Sequence, residues 1–270
     1  MKYCRFLLDG RLHYGVVEDR NNEPWIVDLT SAPEEDLVFR LIRGRATSLG
    51  FEPMPLSFAD LLPSVTPSKI ICVGRNYRDH AKELGNEVPT EPLLFFKPPS
   101  SLLASGGTVC MPAASARVDF EGELALIIGR RVSKLNSTDD WRSVIRGYTL
   151  ANDVTARDLQ KKEAQWTRAK GFDTFCPVGP IVSDEVDPQA GLMIETHVNG
   201  ELRQRGSTLD FIFSIPELLI FITAAITLEP GDLILTGTPS GVGPLQGGDR
   251  VEVSIPGLGV LRNTFQPEKV

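Results

Sequence analysis

Apolar residues in this chain gather into short runs closed by Gly, Pro or Asn, the punctuation expected of β-strands packed on both faces. KIICVG from Lys69, ELALIIG from Glu123, YTLANDV from Tyr148, LMIETHVNG from Leu192 and DLILTG from Asp232 all read this way. Near the start, Tyr3 to Leu8 and Leu12 to Val17 flank Asp9-Gly10-Arg11, a turn signal that predicts a hairpin. Only Phe211 to Ile226 carries enough apolar length for a substantial helix, with Pro216 in its first turn. Short helices are expected over Ala32 to Gly50 and from about Tyr77 to Leu84, the second capped by Asn76 and ended by Gly85. The stretch FEPMPLSFADLLPSVTPSK is Pro-rich and aperiodic and reads as a linker. The pattern divides into a small N-terminal domain over residues 1–65, holding hairpin and linker, and a larger mixed β domain over 66–270.

Composition sharpens this picture. The 270 residues include 24 Gly and 20 Pro, which favours many turns and short strands and hence a mainly β (α+β) fold. A formal net charge of −7 with no basic tract counts against a nucleic-acid partner. No stretch approaches the ~20 apolar residues that span a bilayer, and the start lacks a signal-peptide core, so no membrane association and a cytoplasmic location are expected. Cys4, Cys72, Cys110 and Cys176 form no CxxC pair and are expected to be reduced thiols rather than zinc ligands or disulfides.

The candidate chemistry begins at VDFEGELALIIG. Asp119, Glu121 and Glu123 fall at period two, which in an extended strand puts them on one side, at the head of an unbroken apolar run. Either they form a solvated strand end, or a cation neutralises them, because adjacent like charges resist desolvation. Asp153, at the end of another candidate buried strand, adds weight to the cation reading. A ligand set of carboxylates alone selects Mg²⁺ or Mn²⁺, with Ca²⁺ as a possible substitute, over zinc or copper.

Other polar groups are open to two readings each. His80 and Glu83, three apart, share a helical face and form either a surface pair or a dyad in which Glu orients an imidazole base. Arg157 and Gln160 follow Asp153 at helical spacing and could face a common pocket. TGTPSGVG, from Thr236, permits close backbone approach and could cradle a carboxylate, or be a plain tight turn. Lys170 taken alone reads as a solvent-facing lysine, and Lys97 in FFKPPSSL is left outside the candidate site.

Seven blocks in order, ICVGRNYRDHAKELG, LFFKPPSSL, DFEGELALIIG, GYTLANDVTARDLQ, AKGFDTFCPVGP, VNGE and LEPGDLILTGTPSGVG, resemble the fumarylacetoacetate hydrolase superfamily from about Lys69 to Phe265. The resemblance is closest to its acylpyruvate hydrolase and oxaloacetate decarboxylase branch. It implies a mixed β-sandwich or roll behind a small N-terminal α+β domain, usually as a homodimer. It also implies metal ligation by Glu121, Glu123 and Asp153, a water-activating dyad of His80 and Glu83 on a lid, charge stabilisation by Lys170, and substrate contacts from Arg157, Gln160 and Thr238. One departure is that Val73 stands where the namesake enzyme has a fourth acidic ligand.

The activity so implied is a divalent-metal-dependent C–C bond hydrolase or lyase acting on small 2-oxo acids through a metal-stabilised enolate. Acylpyruvate hydrolysis and oxaloacetate decarboxylation are the two forms expected. The alternatives are a hydroxymuconate-type isomerase or decarboxylase of aromatic catabolism, a non-catalytic 2-oxo-acid binding protein, and a cysteine hydrolase pairing Cys72 or Cys176 with His80.

Overall fold

The computed structural model describes residues 1–21, 23–30, 51–83, 85 and 87–268; the helix expected over Ala32 to Gly50 lies outside them. Lys2–Leu8 and Arg11–Arg20 pair antiparallel about Asp9 and Gly10, both at positive φ (50° and 72°). That is the backbone of the tight hairpin turn whose twist matches that of the strands. Glu23–Thr30 adds a third strand, and Lys2–Leu8 pairs on its other side with Cys176–Ser183.

The N-terminal strands therefore extend a larger sheet of twelve strands among the described residues. From Cys176–Ser183 it continues through Ile145–Asn152, Gly122–Ile128 and Leu233–Leu235 to Ile70–Gly74, and ends at Leu93–Lys97. The Pro-rich stretch is more than a linker. Met54–Pro55 pairs with Glu23–Thr30, and Asp60–Leu61 pairs with Lys2–Leu8. Strands of two residues are too short to leave a period in the sequence, which is why the segment reads as aperiodic.

Gly122–Ile128 is buried at every position, as an unbroken apolar run demands. Leu124, Leu126 and Ile128 face a second sheet of five strands, while Ala125 and Ile127 pack on the opposite side with Tyr3, Val178 and Leu235. In the second sheet, Met193–Val198 and Arg250–Ile255 bury every other residue, the mark of a sheet with one face inward. The two layers meet tightly at Gly122, where a Cβ would lie 2.2 Å from Thr196 Oγ1. Any side chain there would push the sheets apart.

Among the described residues four α-helices decorate this frame: α1 (Arg78–Glu83), α2 (Arg157–Lys162), α3 (Thr167–Gly171) and α4 (Ile215–Ala225). Helix α4 starts at a Ser214–Glu217 capping box with Pro216 in its first turn and buries Leu218, Leu219 and Ile222 in the core. No helix among the described residues is long and apolar enough to cross a membrane.

Gly85, at φ 70°, follows α1 as expected, its N–H donating to the Lys82 carbonyl. The Asn76 side chain, in contrast, does not cap the helix. It accepts from the Phe213 N–H (2.8 Å) and donates to the carbonyls of Phe213 (3.1 Å) and Thr236 (2.8 Å), tying three segments together in the fully buried interior. Local capping geometry lost to a tertiary network that satisfies more buried backbone groups. Asn76→Ala is expected to lower unfolding free energy by about 3 kcal/mol, since each buried group left unpaired costs roughly 1–3 kcal/mol. Urea unfolding monitored by tryptophan fluorescence measures this, and a loss below about 1 kcal/mol contradicts the assignment.

Candidate active site

The main sheet delivers acids to one place because two antiparallel strands end together. Gly122 is registered with Asn152, so Glu123 projects from the start of one strand as Asp153 follows the end of its partner. Glu121 lies in the short break between Val118–Phe120 and Gly122–Ile128 and is fixed by its backbone: its N–H donates to Asn152 Oδ1 (2.9 Å), and its carbonyl accepts from the Asp153 N–H (2.8 Å). Glu121, Glu123 and Asp153 are all buried, and each offers a carboxylate oxygen within 4.8 Å of the others.

Asp119 takes a different part. It too is fully buried, so none of these acids forms a solvated strand end. The chain changes sheets at Glu121, however, and Asp119 stands behind the cluster as an anchor for cations. It accepts from Arg117 Nε (2.8 Å) and Nη2 (3.0 Å) and from Arg157 Nε (2.9 Å). Arg157 also donates to Glu121 and, through Nη1, to Gln160 Oε1 (2.6 Å).

Two lysines complete the network. Lys170, on α3, places its ammonium 2.7 Å from Glu121 and 2.5 Å from Asp153. Lys97, which sequence reasoning excluded, is 1% exposed; its ammonium lies 2.6 Å from Asp153 Oδ1, an ionic contact poorly directed for a hydrogen bond. It also donates to the carbonyls of Val154 (3.2 Å) and Lys170. The missed signal is phase: Lys97 lies two residues after Phe95 on one strand, in register with a residue that lines the cavity.

The electrostatics divide the acids. Burial drives the Glu121 carboxyl upward, but Lys170 and Arg157 more than reverse this and hold it well below the usual carboxylate range. Glu123 goes the other way: burial, Asp153 and Glu121 push it well above its ordinary value. Glu123 accepts from the Gly237 N–H (2.6 Å) and has no cationic side chain within ion-pair distance among the described residues. Burial lowers the Lys170 ammonium, yet Asp153 and Glu121 overcome that and hold it protonated. A dication fits this arrangement: the donors are hard oxygens of suitable spacing, and one of three buried carboxylates has no ion-pair partner among the described residues.

The cluster opens into a cavity of about 60 Å³ lined by Val73, Arg75, His80, Phe95, Gln160, Trp166 and Thr238 together with the acids, Arg157 and Lys170. The nine residues given roles by the family resemblance thus lie at or beside one cavity, Glu83 through its contact with His80. His80 is 4% exposed, with Nδ1 3.4 Å from Glu83 Oε2, and burial holds its imidazole below the ordinary value. Glu83 also accepts from the Gly241 N–H at 3.1 Å, docking α1 on the Thr236–Gly243 loop. The Thr238 hydroxyl is committed to protein, donating to the Gly122 carbonyl (2.8 Å) and accepting from Gln204 (2.7 Å). Val73 gives the cavity an apolar wall. Cys72 and Cys176 are buried, and burial raises both thiols, Cys176 to about 12, which counts against a thiolate nucleophile.

Residues 69–266 match the model of the fumarylacetoacetate hydrolase C-terminal family. An oxaloacetate decarboxylase of Dictyostelium discoideum mitochondria is 46% identical over 201 residues, covering 72% of this chain and 91% of its own. An oxaloacetate tautomerase of Bacillus subtilis is 44% identical over 214 residues, covering 74% and 71%. Among solved structures, a 2-hydroxyhepta-2,4-diene-1,7-dioate isomerase of Mycobacterium marinum superposes over both whole chains with a TM-score of 0.86 at 35% identity. With a family model spanning most of its length and relatives this similar, the chain belongs to the fumarylacetoacetate hydrolase family of enzymes.

Proposed function

We propose that this protein is a divalent-metal-dependent enzyme that forms the enolate of a small 2-oxo acid, with oxaloacetate as the substrate the relatives' names favour. The observation that carries the reading is the buried triad of Glu121, Glu123 and Asp153, one member of which has no ion-pair partner among the described residues. Bound there, Mg²⁺ or Mn²⁺ would supply electrophilic stabilisation to the oxygen of a developing enolate.

The chain's own residues do the rest. Arg117 holds Asp119, Asp119 holds Arg157, and Arg157 holds Glu121, so Glu121 is set before substrate arrives. Lys170, kept protonated, donates toward negative charge that builds on the substrate. Gln160 is oriented by Arg157 through its amide oxygen, which leaves its NH₂ to donate to a substrate carboxylate. Burial keeps the His80 imidazole neutral at pH 7, as a proton acceptor must be, and Glu83 fixes its orientation. Phe95 and Trp166, ring centroids 5.4 Å apart, wall off water.

Tautomerisation and decarboxylation of oxaloacetate each pass through an enolate, that of oxaloacetate when a proton leaves C3 and that of pyruvate when CO₂ does. A second reading, acylpyruvate hydrolysis, rests on the His80–Glu83 pair, which could direct water at an acyl carbon. Stripping the protein with a chelator is expected to abolish turnover, and adding Mg²⁺ or Mn²⁺ to restore it; assays against oxaloacetate, acetylpyruvate and a hydroxymuconate-type diacid separate the reactions. Turnover that persists after chelation refutes metal dependence. His80→Ala should lower kcat by about 10²–10⁴ while metal affinity, read by calorimetry, stays within about threefold. Equal loss of both would remove the role assigned to His80.

A further inference from the structure

Arg75 is anomalous in three respects. It is a non-glycine residue at φ 58°, in the left-handed region that costs an L-residue roughly 1–2 kcal/mol. It lines the cavity and is half-buried. Its side chain makes no hydrogen bond or ion pair with any described residue, whereas Arg157, Lys170 and Lys97 are all paired with the chain's own acids.

The surroundings hold this conformation in place. A Cβ on Gly74 would lie 3.1 Å from the Trp166 ring and 3.2 Å from Leu93, so the preceding residue has little room to move. The following residue, Asn76, is pinned by its three hydrogen bonds to Phe213 and Thr236. A strained residue over-determined on both sides at a ligand cavity marks a position whose side chain is being aimed.

The cavity is polarised. Its inner end holds the three carboxylates, Lys170 and Arg157, each at most 4% exposed, and its rim holds the more accessible Arg75, Gln160 and Trp166. A 2-oxo acid that presents its carboxylate and keto oxygens to the inner end therefore extends its C3 substituent toward the rim. An apolar acyl tail has no use for an unpaired guanidinium, while a second carboxylate matches its planar fork.

We infer that Arg75 binds the distal carboxylate of the substrate and makes the enzyme selective for 2-oxo dicarboxylic acids over 2-oxo monoacids, an inference that rests on the proposed function and narrows it.

The test compares ligands that differ only at that end. Malate and 2-hydroxybutyrate both present a chelating hydroxy-acid head, but only malate carries the second carboxylate; oxalate presents the head alone. Calorimetry on the Mg²⁺-loaded protein should show malate bound about 10- to 100-fold more tightly than 2-hydroxybutyrate, the range for one charge-assisted contact. In Arg75→Asn, which suits the left-handed backbone and so should fold, the preference should fall to within about threefold with oxalate affinity unchanged. Arg75→Lys should retain part of it. A malate preference undiminished in Arg75→Asn, or an equal loss for oxalate and malate, overturns the assignment of Arg75 alone. Wild-type protein that binds no oxalate with Mg²⁺ present overturns the proposed function and this inference with it.

Discussion

Three carboxylates drawn out of water into one small volume are the constraint around which this molecule is arranged. Placing Glu121, Glu123 and Asp153 together costs desolvation and mutual repulsion, and only opposite charge repays either. The chain meets part of that demand itself with Lys170, Lys97 and Arg157, and among the described residues Glu123 has no ion-pair partner. Counting Asp119 and its half-exposed partner Arg117, four carboxylates face four cations. With Arg75 also at the rim, a bound dication would give the site a surplus of positive charge suited to a dianionic substrate.

The fold serves this arrangement at each level. Strands buried on both faces exclude water from the acids at their ends, and Gly122 lets the second sheet close over the strand that carries Glu123. Helices α2 and α3 follow directly on the strand that ends near Asp153 and bring Arg157 and Lys170 to the same cavity within twenty residues of chain. From the other side, α1 carries His80 over the cavity and is held to the Thr236–Gly243 loop by Glu83. Acids, cations and the neutral imidazole therefore come from separate elements, each fixed by its own hydrogen bonds.

The strands and the acids were legible in the sequence because both leave a local trace. ELALIIG and DLILTG announce burial on two faces, and carboxylates at the heads of such runs need an explanation. What stayed hidden depends on distant partners. Lys97 is a lone lysine before two prolines until pairing brings it against Val154 and Lys170, 57 and 73 residues away. Asn76 obeys a capping rule locally, and contacts to Phe213 and Thr236 overrule it. Asp119 shares the period of its neighbours, but a change of sheet at Glu121 turns it from candidate ligand into the anchor of Arg157. The sequence marks a turn at Gly74-Arg75-Asn76 but not that the positive φ falls on Arg75 rather than on the glycine or asparagine beside it. The resemblance to a known family supplied the expected roles of Lys170, Gln160 and Thr238, which spacing alone left open; the Thr238 hydroxyl is in fact held by Gly122 and Gln204.

The central claim is that the buried triad binds one hard dication. Titrating metal-stripped protein with Mn²⁺ and following the free ion by electron paramagnetic resonance tests it directly. One ion per chain should bind, Mg²⁺ should displace it, and Glu123→Gln should weaken binding by at least about tenfold, as expected when a carboxylate ligand is lost. No saturable Mn²⁺ binding, or binding indifferent to Glu123→Gln, would contradict the account.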